Sequence, residues 1–111
     1  YIGITSSDGR TLWERQFPGA RFYGHLTADP IRPALILDGD FSADLLQWMY
    51  YDRPDSVSPR LEPICVHGTA WESIPGQYSH PHPLMDASGR WISFNRAQGG
   101  RSDVCVVEIG A

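Results

Sequence analysis

Proline and glycine break this chain into short runs: nine prolines and eleven glycines among 111 residues leave no stretch that keeps a helical repeat for long. Proline removes a backbone donor and glycine frees φ, so elements must be short and joined by turns. Between the breaks stand four tryptophans and five tyrosines, side chains that suit a pleated surface. An all-β architecture of short antiparallel strands follows.

Taken in order, residues 1–5 and 10–17 read as a hairpin around Ser6-Ser7-Asp8-Gly9, and Pro18-Gly19 ends it. Residues 21–26 read as a further strand, and Ala28-Asp29-Pro30 turns the chain into Ala34-Leu35-Ile36-Leu37, an apolar run of the kind buried on both faces. Asp38-Gly39-Asp40 closes that run. It lacks the spaced ligands and terminal glutamate of a calcium loop and reads as a turn. Residues 45–51 could form a short helix capped by Ser42, but their aromatic residues favour a strand, with 60–66 as its antiparallel return. After the His67-Gly68-Thr69-Ala70-Trp71 connection come three further segments: an extended entry through Leu84 and Met85, a strand over 90–94, and a last strand over 103–109 beyond a Gln98-Gly99-Gly100 loop. Three antiparallel strands in succession make most of one propeller blade.

Length and charge narrow the function. The chain suits one small domain. It opens on Tyr1 with no signal-like apolar segment and no run long enough to span a bilayer, so it is expected to be a piece of a longer protein without membrane contact. A net charge of −4 argues against nucleic acid as the main partner. All nine basic residues are arginine, which excludes Schiff-base chemistry through lysine and leaves bidentate recognition of carboxylates. Cys65 and Cys105 sit in separate apolar runs without metal-ligand spacing and read as small buried hydrophobes, with no disulfide implied.

The chemistry concentrates in Gln77-Tyr78-Ser79-His80-Pro81-His82-Pro83. Were this segment extended, His80 and His82 would project from one face while the prolines confined it to a sheet edge. Two imidazoles converging from an edge are half of a metal site. The alternative is that both histidines are turn residues hydrogen-bonded to backbone.

The run from His82-Pro83 through Ser88-Gly89-Arg90-Trp91-Ile92-Ser93-Phe94 to Ser102-Asp103-Val104 resembles the propeller repeat of TolB-like proteins. Their turn usually holds proline and aspartate where Ala87-Ser88-Gly89 stands here. With Gln77-x-x-His80-Pro81-His82-Pro83, and Tyr23-Gly24-His25-Leu26 upstream, the chain resembles the oligogalacturonate lyase family in particular. The resemblance implies about two and a half blades of a seven-bladed parent: residues 1–17 as the outer hairpin of one blade, 18–76 as the next, and 77–111 as the last. It also implies a manganese ion, or another divalent transition metal, held by His25, Gln77, His80 and His82.

On this resemblance the substrate is a short pectin-derived oligogalacturonide cleaved by β-elimination. The base belongs to blades outside this chain, the rest of the propeller is its partner, and a cytoplasmic location is favoured. His67 is a candidate for substrate contact, and Arg21 a second cavity residue. A non-catalytic TolB-like binding module is the main alternative. A cupin-like metalloprotein is a weaker one, because no histidine follows His82.

Overall fold

The computed structural model describes residues 2–15, 24–39, 44–52 and 60–110. It is all-β, with antiparallel strands in consecutive order. Strands β1 (Ile2–Thr5) and β2 (Thr11–Arg15) form a hairpin. Strands β3 (Leu26–Ala28), β4 (Ala34–Leu37), β5 (Leu45–Tyr50) and β6 (Arg60–Val66) form a four-stranded meander. A 3₁₀ turn over Gly76–Ser79 leads to β7 (Leu84–Met85), β8 (Trp91–Gln98) and β9 (Arg101–Glu108), a three-stranded meander. Neither sheet closes into a barrel, an arrangement consistent with a partial propeller.

The run Ala34–Leu37 is buried at every position, as its composition implies. Ala34 and Ile36 face a core shared with Leu46, Trp48, Met85, Ile92 and Phe94, which joins the two meanders. Leu35 and Leu37 pack with Met49 on the other face of the same sheet. Burying each of these larger side chains contributes on the order of 1.5–3 kcal/mol, so the two-sided β4–β5 pair anchors the fold. Of the 45–51 segment, Leu45–Tyr50 is a strand because both neighbours pair with it, β4 on one side and β6 on the other. Pro63 is tolerated on β6 because that strand is a sheet edge, and the register slips nearby at Leu46/Gln47. Cys65 and Cys105 are free thiols, half-buried against the shared core. Burial, and then the neighbouring Cys105, push the Cys65 thiol above its ordinary value.

Two carboxylates knit the turns. Asp86 accepts hydrogen bonds from the Ser88 hydroxyl (2.6 Å) and from the backbone N–H groups of Trp91 (2.8 Å) and Arg90 (3.0 Å), fixing the β7–β8 turn. The Arg32 guanidinium reaches both Asp29 (3.1 Å) and the Gly89 carbonyl (3.4 Å), tying the β3–β4 turn to the β7–β8 turn. Gly89 has φ +68°, and a Cβ there would overlap the Ile31 side chain. Gly89→Ala is therefore expected to cost about 1–2 kcal/mol, the left-handed penalty plus a displaced but exposed isoleucine. A denaturation midpoint equal to that of the parent protein would show that the turn adapts freely.

Candidate metal centre

The segment after the 3₁₀ turn is not the regular strand that its His-x-His pattern implies. His80 is extended at φ −81°, ψ 141°, but His82 is left-handed at φ +46°. The cause lies in the register with β8. Outward from Leu84↔Ser93, residue 82 would face Asn95; instead the Asn95 N–H reaches the Pro81 carbonyl at 2.7 Å. His82 is thus an extra residue, a bulge in a segment whose prolines at 81 and 83 cannot donate to the ladder. Strand alternation does not bring the two imidazoles together. The bulge does.

His25 enters from the start of β3. Its ring centroid lies 3.6 Å from that of His82 and 5.2 Å from that of His80, while His80 and His82 are 6.0 Å apart. One nitrogen from each ring lies within 4.8 Å of the others. Three atoms so spaced share a point about 2.8 Å or less from each, against roughly 2.0–2.1 Å for a zinc–imidazole bond, a gap that small side-chain rotations close. All three rings are half-buried, and the His25 side chain is 30 % exposed, so the cluster opens to solvent on that side.

Asp38 supports the cluster from inside the fold. Its side chain is 0 % exposed. One oxygen accepts the His25 N–H (2.8 Å); the other stands 3.0 Å from His25 Nδ1 and 3.3 Å from the His82 N–H. Gly24 permits this approach, because a Cβ there would overlap Asp38 Oδ1 and lie 2.6 Å from the Gly39 carbonyl. Burial, and then the adjacent His25, hold the His82 imidazole below its ordinary value against the pull of Asp38 and the Gln77 carbonyl. A neutral ring is the form that ligates a metal.

Gln77 stands exposed on the 3₁₀ turn, and its carbonyl accepts the His80 N–H at 3.1 Å. His67 is buried, 1 % exposed, with Nδ1 accepting the Thr69 N–H at 3.1 Å. Its ring meets Trp71 edge-on at 5.6 Å, and Trp71 meets His80 at 5.2 Å. His67 therefore adjoins the cluster through Trp71 rather than lying within it. Thr69 anchors this layer, donating to the Ser79 carbonyl (2.6 Å) and accepting the Ala97 N–H (2.9 Å). Arg21 lies outside the described residues.

Asp38 escapes a reading of local pattern, which makes Asp38-Gly39-Asp40 a turn. One signal was available: alternation carries the inward face of β4 from Ala34 through Ile36 to position 38, and a carboxylate buried there needs donors. Comparisons of the chain with protein-family models, with curated proteins and with solved structures return no match.

Proposed function

We propose that this chain carries the metal centre of an oligogalacturonate lyase, an enzyme that cleaves short pectin-derived uronides by β-elimination. The observation that carries the reading is the convergence of His25, His80 and His82 from places distant in sequence. Three imidazoles, with the Gln77 carboxamide as the fourth donor implied by the resemblance, make a neutral set of intermediate hardness that fits Mn²⁺, Fe²⁺ or Zn²⁺. The resemblance favours manganese. Held by His25, His80 and His82, such an ion would keep its full charge for a substrate carboxylate, and would thereby make the adjacent C–H more acidic and stabilise enolate-like charge.

The residues of this chain hold and orient. His80 and His82 present their rings from a bulge fixed on β8, and His25 completes the set from the neighbouring sheet. The 30 % exposure of His25 marks the side from which a uronide carboxylate would approach. In the elimination a base takes the proton from the carbon next to the carboxylate, and the electron pair becomes a carbon–carbon double bond. The glycosidic oxygen on the neighbouring carbon leaves with its bonding pair and gains a proton, so no water is consumed. The base is assigned, as the resemblance implies, to a part of the protein outside this chain. His67, buried, braces Trp71 in this reading rather than touching substrate.

The test supplies digalacturonate and Mn²⁺ to the full-length protein and follows the ultraviolet absorbance of the unsaturated product. A rise that depends on the metal is expected. A flat trace from protein with metal bound defeats the lyase reading and leaves a metal-binding propeller module.

A further inference from the structure

We infer that Asp38 is a positioning residue that fixes the tautomer of His25 and locks together the two chain segments from which the imidazoles come. The inference rests on the metal-centre reading above but makes a separate claim about the metal-free protein. Both Asp38 oxygens already face backbone N–H donors, His25 on one and His82 on the other, so the carboxylate stands here as an acceptor. The oxygen 3.0 Å from His25 Nδ1 therefore places the ring proton on Nδ1, which leaves the lone pair of the neutral imidazole on Nε2. Without that contact nothing in the Asp38 geometry would decide between the two tautomers, and the one protonated on Nε2 cannot ligate through that atom.

The grip is tighter than a single bond. The other oxygen takes the His25 N–H at 2.8 Å, so main chain and ring of one residue are held by one carboxylate. The first oxygen also faces the His82 N–H at 3.3 Å, pinning the left-handed bulge. Residues from the start of β3 and from the approach to β7 thus share one buried acceptor. Its full burial keeps water from competing for these donors. Gly24 belongs to the same device, since any side chain there would push Asp38 Oδ1 away.

Metal-bound histidines commonly donate their second N–H to a carboxylate, and losing such a partner typically lowers metal affinity about 10–100-fold. The experiment uses the full-length protein with ¹⁵N-labelled histidine, stripped of metal, at mildly alkaline pH. Long-range ¹H–¹⁵N correlations are expected to show His25 protonated on Nδ1. Asp38→Ala is expected to populate both tautomers and to weaken Mn²⁺ binding by the stated factor in titration calorimetry. Asp38→Asn keeps the volume, yet its one oxygen cannot serve three donors on two sides, so a similar loss is expected.

A parent protein whose His25 carries its proton on Nε2 overturns the inference, as does a folded Asp38→Ala variant with unchanged tautomer and Mn²⁺ affinity. Where neither variant folds, the tautomer in the parent protein decides alone. A protein that shows the Nδ1–H tautomer but takes up no Mn²⁺ upholds the role of Asp38 and sinks the metal-centre reading.

Discussion

Replacing Asp29 with alanine is expected to lower the unfolding free energy by about 3–5 kcal/mol, the range for stripping one partner from a buried, hydrogen-bonded charge cluster. The Asp29 side chain is fully buried. One oxygen accepts the Ile31 and Arg32 N–H groups, both at 2.8 Å; the other accepts the Trp48 indole N–H at 3.0 Å and the Arg32 guanidinium at 3.1 Å. Each buried donor left without an acceptor costs roughly 1–3 kcal/mol. Arg32 would lose its ion pair and keep, among the described residues, its place 4.9 Å from the Trp48 ring and the long contact to the Gly89 carbonyl. Because Trp48 lies in the core shared by both meanders, the damage should reach their contact. A shift in the denaturant midpoint at constant m reads it directly. A loss below about 1 kcal/mol would mean that the turn finds water for its donors, contrary to the burial.

The same carboxylate ties stability to acid. Burial is the largest single influence on Asp29 and pushes its carboxyl up, but the Arg32 and Ile31 N–H groups, the Arg32 guanidinium and the Trp48 indole together hold it below its ordinary value. Asp86 is held down to about 2, first by the Ser88 hydroxyl and then by the Trp91 N–H. Both groups have depressed folded-state values, so their stabilisation is complete above the unfolded carboxylate value of about 3.9 and fades as pH falls through the folded values. Acid unfolding below about pH 4 should therefore be less steep in Asp29→Asn than in the parent protein, with no difference in slope between pH 5 and 8.

Strands proved readable where burial follows composition. Ala34–Leu37 is apolar at each position and buried at each position; Arg60–Val66 pairs as the return of Leu45–Tyr50. What turn chemistry did not supply was the identity of the buried acceptors, although alternation along β4 points inward at position 38. Asp29 and Asp38 each sit beside glycine or proline, where aspartate ordinarily marks a solvated turn. Their burial depends on groups far along the chain, Trp48 for Asp29 and His82 for Asp38. The geometry of His80 and His82 was illegible for a related reason. Side-chain alternation assumes an unbroken ladder, whereas the prolines withhold donors and the Asn95 N–H selects Pro81 in place of residue 82. The spacing pointed to convergence, but the backbone achieves it by a bulge.

The bulge gives a means of separating binding from packing. His82→Gly removes a proposed ligand while placing glycine where φ is +46°, a conformation that costs other residues about 1–2 kcal/mol. Metal affinity should therefore fall without a matching fall in metal-free stability. On the metal-centre proposal, affinity for Mn²⁺ should fall by more than the 10–100-fold expected for a lost outer partner, because a proposed direct ligand is gone. The metal-free protein should unfold at about the same denaturant concentration as its parent, the relieved left-handed backbone offsetting the lost contact of the half-buried ring with His25. The comparison must be made without metal, because any ligand that binds only the folded state raises stability by RT ln(1 + [L]/Kd) and would mask the relief. His80→Ala, at an extended and unstrained position, should lose affinity with no such relief to offset the lost ring. A non-catalytic module whose histidines merely fill space predicts the reverse: unchanged manganese content in both variants, and destabilisation wherever a ring is removed.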